Sequence, residues 1–456
     1  MNVAVVTLRE ILDLRRWSVA FFVASVIVCF AVSPMALGAI GVNYGSAGGA
    51  AWQKIHPATY LMALSMGFGF LGLPRRWAFL WAIPTRLPGL SFFTVMWALL
   101  TVFAAAVQHS PLTQLLDTFF IAAAALVMYD ELPERVRSFV RIFLHVFLCV
   151  NAIIGAAEFF LHWRMFPLIL DGEEMTDERR STALIGHPLQ NAAASGAYLL
   201  CLFFGGDAAL SPMARLMLMA VQILGLACFG GRTSIAAASL IIAANLAKDF
   251  AFILLGARFD MRRALGVVLG GPLLIVAALY AISSGAFEDV IARFLDDNGS
   301  AEARVIMFRL FESFELRDLL IAPDPEVVGT LLRNLGIRVG IENTWISWIF
   351  QYGAMMTLFF MLGLVALLWE LWRRSQAGAL QLLLFFVVLM SSAIGLASKS
   401  MIFNHLALIM LFVFGKQACE AKAPLPAVEP GARSSRAAVL AKPELGFGLT
   451  SSISKP

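Results

Sequence analysis

Apolar runs of about 17 to 25 residues recur from Trp17 to Gly415, and this repetition constrains the fold more than any other feature of the chain. Each run is long enough to cross a hydrocarbon core of about 30 Å as a helix. A content of 60% hydrophobic and 14% charged residues, with a mean hydropathy of +0.81, excludes a soluble fold. A bilayer offers no water to stray backbone groups, so only helices or closed barrels cross it, and a barrel would show short alternating segments. The chain therefore reads as an all-α polytopic membrane protein.

The runs predict twelve crossings, at 17–40, 57–73, 89–107, 112–128, 138–161, 188–205, 214–230, 233–256, 265–284, 346–369, 379–398 and 400–415. Between Leu71 and Leu90, Pro74, Pro84 and Pro88 interrupt apolar sequence, and Trp77 to Ile83 either extends a neighbour or lies at the interface. The first run is too long for a signal-peptide core and reads as a retained helix. The organisation expected is a cytoplasmic N-terminus over 1–16, a transmembrane domain over 17–415, and a disordered cytoplasmic tail over 416–456, rich in Ala, Pro, Ser and charge.

Charge sets the orientation. With both termini inside, 22 of the 34 Lys and Arg face the cytoplasm, among them Arg75, Arg76, Arg86, Arg135, Arg137 and Arg141. Six of the remaining 12 fall in one large outer loop, 285–345, between the ninth and tenth crossings, where they weigh little in the positive-inside rule. In that loop the spacing predicts a helix over Glu302 to Ile321, with Val305, Phe308, Phe311 and Phe314 on one side.

Candidate site residues gather at the predicted outer boundary. The acidic segment from Asp171 to Arg180 runs into Ser181-Thr182-Ala183-Leu184-Ile185-Gly186-His187-Pro188-Leu189-Gln190-Asn191, so arginines, a histidine and an amide meet one membrane edge. Arg232 follows two glycines, Arg304, Arg309, Arg333 and Arg338 lie in the large loop, and Glu342 and Asn343 precede a helix. An arginine fork binds phosphate oxygens bidentately and stays charged when partly desolvated, which suits a pyrophosphate-linked lipid. An ordinary loop arginine at Arg180, a histidine beside the helix cap set by Pro188, and a snorkelling Arg232 are equally open readings.

For Glu158, late in the fifth crossing, a structural hydrogen bond between helices is the favoured reading, and His145 reads as structural. Five of six histidines lie towards the outer face, yet no pair has the spacing of metal ligands, so no metal site is expected. The glycine-rich stretch Gly41 to Gly49 follows a membrane helix, not a strand, so it is no phosphate loop. Five dispersed cysteines give no disulfide framework.

Three pieces in order carry a family resemblance. Arg180 to Ala192 resembles the Arg-x-x-Gly-x-x-x-Pro-Asn-like segment of the O-antigen ligase and Wzy polymerase superfamily. Gly230-Gly231-Arg232-Thr233-Ser234 is similar to its Ser/Gly-Arg-Thr/Ser turn. Glu342-Asn343-Thr344-Trp345 with Gln351-Tyr352-Gly353, after a large loop, resembles its His/Glu-Asn segment leading into the next helix. The Gly-His-Pro-Leu-x-Asn-Ala form is nearest to the VpsF-like exopolysaccharide polymerase branch.

This resemblance implies a GT-C-like, metal-independent, inverting glycosyltransferase of the bacterial inner membrane, without a cofactor. Its substrates would be undecaprenyl-diphosphate-linked oligosaccharide and a growing glycan acceptor, joined at the periplasmic face. A chain-length regulator is an expected partner beside the lipid bilayer, and nucleic acid is not. Arg180 and Arg232, helped by Arg304, Arg309 and Arg338, would meet the pyrophosphate charge. Asn191 and Asn343 would bind substrate, and Glu342 or His187 would take the acceptor proton. Ligases of the superfamily usually carry histidine where this chain has Glu342, which favours a polymerase. A ligase shares every residue named, and a lipid-linked oligosaccharide flippase is the alternative from another class.

Overall fold

The computed structural model describes residues 2–45, 48–108, 112–167, 169–170, 173–174, 180–256, 300–337, 340–393 and 395–416. The ninth expected crossing, the turn at His109 to Pro111, most of the acidic segment, Arg179, Arg338 and the tail beyond Lys416 lie outside the described residues.

The described chain is helical apart from a two-residue antiparallel pair, β1 (Ile169–Leu170) with β2 (Glu173–Glu174). The helices before it are α1 (Asn2–Ala31), α2 (Pro34–Ala39), α3 (Pro57–Leu71), α4 (Arg76–Arg86), α5 (Pro88–Ala106), α6 (Thr113–Tyr129) and α7 (Glu134–Leu161). After it come α8 (Pro188–Phe203), α9 (Pro212–Phe229), α10 (Arg232–Leu254), α11 (Ser300–Glu312), α12 (Leu316–Ile321), α13 (Pro325–Asn334), α14 (Thr344–Arg374), α15 (Ala379–Ser391) and α16 (Ile402–Phe412).

Among the described residues six helices are long and apolar enough to cross a membrane: α1 from Asp13, α5, α7, α9, α10 as far as Phe252, and α14. Four shorter apolar helices, α3, α6, α15 and α16, stand among them. The chain is thus a multi-pass helical membrane protein, and by this measure six described helices qualify where twelve crossings were expected.

Local sequence explains many helix starts. Proline occupies the first turn of α2, α3, α5, α8, α9 and α13, where its missing N–H takes nothing from the helix. Small residues set the close crossings. Gly155 of α7 lies against the Phe229 ring of α9, and a methyl group on Gly225 of α9 would come 2.8 Å from the Ala152 Cβ of α7. Gly89 of α5 rests on the Ala366 carbonyl of α14.

Three expectations are corrected. The first crossing is broken at Ser33, which caps α2 by accepting a hydrogen bond from the Ala36 N–H (3.0 Å). Trp77 to Ile83 does not extend a neighbour, the first of its two readings, but belongs to a separate helix, α4, with Trp77 72% and Trp81 81% exposed. The loop helix is split into α11 and α12, and its apolar side is formed by Met307, Leu310, Phe311 and Phe314, with Phe308 61% exposed.

These loop residues form a small core with Val328, Ile341, Ile346 and Phe350, so the first turns of α14 share a core with the loop. The end of α12 also breaks α14. Gly353 has φ 77°, and a methyl group there would lie 2.6 Å from the Ala322 nitrogen and the Leu320 carbonyl oxygen.

Candidate functional site

The segment leading into α8 is held from below by carboxylate and amide side chains of α7. Ser181, Thr182, Ala183, Ile185 and Gly186 are buried, and backbone polar groups taken from water need partners. Glu158 supplies two, its Oε2 accepting from the N–H groups of Thr182 (2.8 Å) and Ala183 (2.9 Å), while its Oε1 accepts from the Met165 N–H (2.7 Å) just after α7. Asn151 Oδ1 accepts from the Leu184 N–H at 3.0 Å, and its amide donates to Asn191 Oδ1 at 2.8 Å. Asn191 in turn donates to the carbonyls of Thr182 (2.5 Å) and His187 (3.1 Å). Glu158 therefore fixes a loop, whereas a bond between helices was expected. Asn191 has its hydrogen-bonding capacity used internally, so it positions the segment where a substrate contact was expected.

Two contacts bring the Arg180 and Arg232 segments together. The Ser181 N–H donates to the Cys228 carbonyl near the end of α9 (3.3 Å), beside Arg180. Gly230 then turns the chain at φ 65°, Gly231 sits flush against Ala192 of α8, and Arg232 opens α10. Any side chain at Gly231 would collide with Ala192, which gives the glycine a packing reason. Arg180 and Arg232 are both half-buried.

His187 caps α8, its Nδ1 accepting from the Leu189 N–H at 3.2 Å. That bond leaves the ring proton on Nε2, so no nitrogen lone pair is open. Burial, and then the Arg180 charge, pushes the imidazole down to about 4. Both facts argue against His187 as a proton acceptor, and it is withdrawn from that role.

Asn343 caps α14, accepting from the N–H groups of Trp345 (3.0 Å) and Ile346 (3.1 Å), while its amide donates to the Ser391 carbonyl (2.8 Å) at the end of α15. It too is a positioning residue, where a substrate contact was expected. Leu389 of α15 lines one small cavity with Gln190 of α8. Glu342 thus stands at the same end of the bundle as His187. It is half-buried, and among the described residues its carboxylate makes no hydrogen bond or ion pair.

The structure places two of the candidate loop arginines, both on the surface. Arg309 is exposed on α11 with no ion pair among the described residues, Arg333 is exposed on α13, and Arg338 and the Arg304 side chain lie outside what is described. Among the described residues no three His, Cys, Asp or Glu side chains gather as a metal group would.

A second polar cluster at this end was not foreseen. Asp117 of α6, fully buried, accepts from Thr59 Oγ1 (2.8 Å), Tyr44 OH (2.9 Å) and the His56 N–H (3.1 Å). Lys399 reaches it at 3.9 Å and donates to the Tyr44 carbonyl at 2.9 Å, its ammonium 3.5 Å from the Tyr44 ring centroid. Burial outweighs the Asp117 charge and brings the lysine down to about 8. A lone carboxylate inside an apolar run is the signal that marks such a site. The same turn meets α14, where Thr344 Oγ1 donates to the Ala393 carbonyl (2.8 Å).

No known protein family matches this chain, and neither does any curated protein.

Proposed function

We propose that this protein polymerises glycan repeat units carried on undecaprenyl diphosphate, at the periplasmic face of a bacterial inner membrane. The proposal includes a GT-C-like bundle of twelve crossings with both termini in the cytoplasm. One observation carries it: two half-buried arginines, Arg180 and Arg232, issue from backbone segments joined at one end of the bundle, and Glu342 stands at that same end.

In this reading the acceptor hydroxyl oxygen attacks the anomeric carbon from the face opposite its bond to the pyrophosphate. That bond breaks, the electron pair leaves on the lipid diphosphate, and configuration inverts. Arg180 and Arg232 offset the developing charge, in a partly desolvated place where fixed cations act strongly. Glu342 takes the hydroxyl proton late in the step, the role that His187 is unable to fill. Asn343, Asn191 and Glu158 hold these groups in place. A chain-length regulator in the same membrane is the expected protein partner.

Reconstitution of the purified chain with undecaprenyl-diphosphate-linked repeat units from its own host tests this reading. Wild type yields a product ladder on a gel, and Arg232→Ala loses at least about a hundredfold in rate, the usual scale for one charge-stabilising donor. Transfer to a supplied lipid-core acceptor without a ladder would mean a ligase. Lipid crossing the bilayer with neither product would mean a flippase.

A further inference from the structure

At the end of the bundle opposite the candidate site, one corner carries exposed arginine and tryptophan together. Arg75 and Arg76 are exposed, and their side chains make no hydrogen bond or ion pair among the described residues. Trp77 and Trp81 follow them along α4, 72% and 81% exposed. The turn from Leu73 through Pro74 to Ala78 borders an open hollow of about 460 Å³. Helix α4 joins the ends of two apolar helices, α3 and α5, which places it at the water boundary of a bilayer.

The N-terminal part of α1 completes the corner. Ser18 and Ser65 exchange hydrogen bonds, each hydroxyl donating to the other's carbonyl at 2.8 Å, so α1 and α3 are zipped together. A methyl group on Gly72 would lie 3.6 Å from the Arg15 nitrogen, which brings Arg15 and Arg16 beside the turn. Trp17 stacks on Phe21 and Phe21 on Phe68, while Trp77 meets Phe70 edge-on at 6.3 Å, so the aromatic groups share this level.

The nearby carboxylates among the described side chains are already engaged. Asp13 faces Arg16 (3.7 Å), Glu131 faces Arg86 (3.2 Å) and more distantly Arg15 (3.9 Å), and Asp130 holds Arg374 at 2.9 Å. What remains among the described residues is uncompensated positive charge on Arg75 and Arg76, framed by indole rings.

We propose that this corner, α4 with the adjoining ends of α1 and α3, binds the phosphate headgroups of anionic phospholipids. A guanidinium fork matches phosphate oxygens, tryptophan settles at headgroup depth, and an anionic leaflet attracts exposed arginine beside a membrane helix. This site is independent of the reaction proposed above and lies at the other end of the molecule.

The test is native mass spectrometry of the full chain in neutral detergent, titrated with phosphatidylglycerol or phosphatidylcholine. Wild type is expected to retain phosphatidylglycerol in preference to phosphatidylcholine. Arg75→Gln with Arg76→Gln weakens phosphatidylglycerol binding on the order of tenfold or more and leaves phosphatidylcholine unchanged. Arg333→Gln, on α13, leaves both unchanged. Equal phosphatidylglycerol retention by wild type and the double variant overturns the proposal, as does wild type taking both lipids alike. If the double variant aggregates, wild type alone decides, because roughly 0.5 M salt abolishes a headgroup preference that rests on exposed charge. A preference unmoved by salt overturns the proposal too.

Discussion

Glu158 draws three backbone N–H groups onto one carboxylate and so determines the path by which the chain enters α8. Hydrogen bonds to a charged acceptor contribute roughly 1.5–3 kcal/mol each, and buried donors left without a partner cost about as much again. Glu158→Ala is therefore expected to destabilise the protein by about 3 kcal/mol or more, and Glu158→Gln by less, since one oxygen remains to accept. Thermal unfolding of the detergent-solubilised protein measures both, and equal midpoints for wild type and Glu158→Ala would remove the carboxylate from this role. At this scale the sequence was partly readable. A carboxylate buried late in a crossing announces a partner, and Pro188 announces a cap at His187. The identity of the partners was hidden, because Asn191 and Asn343 look like ligand groups until their hydrogen bonds to Thr182, His187 and Ser391 are seen. Asp117 escaped notice for the same reason, its hydrogen-bond partners lying 58 to 73 residues away in sequence and Lys399 much further.

The long helix α14 is the element on which the candidate site most depends, and it is two helices meeting at Gly353. The end of α12 fills the break, its Ala322 backbone close to where a Gly353 side chain would stand. Gly353→Ala combines a left-handed backbone conformation with collision against main-chain atoms, which are unable to swing aside. A loss of roughly 2–4 kcal/mol is expected, together with faster proteolysis of residues 322–340, as α12 is pushed from its seat. Proteolysis at an unchanged rate would show that the two elements are not interlocked. The start of α8 was legible here from Pro188, and apolar runs located the helices, whereas Pro84, read as an interruption, lies inside α4 and Pro88 begins α5. The break at Ser313 and the break at Gly353 were not legible, since each follows from where the loop packs on α14, a tertiary fact that periodicity does not carry.

Among the described residues, polar clusters stand at the two ends of an apolar bundle, and acidity strains the site end first. His56 and His187 both cap helices through Nδ1, which accepts from Ala58 (3.2 Å) and Leu189 (3.2 Å), and burial is the main cause that pushes each down to about 4. Their folded-state values lie below the usual value near 6.5, so folding favours the neutral ring. Stability is then full above about pH 6.5 and falls as pH drops towards 4, because the unfolded chain takes up protons first. A melting midpoint that declines between pH 7 and pH 5 is expected, and is reduced in slope by His56→Gln; a flat midpoint over that window contradicts the assignment. The helical membrane class was legible at this scale from hydropathy alone, while the loop's membership in two structures was not. The small core of Met307, Leu310, Val328 and Ile341 closes on Ile346 and Phe350, on the site side of the Gly353 break. The unit that evolution or an engineer could exchange between related chains therefore ends at Gly353, and a graft cut at Trp345 would carry half a core into its new host.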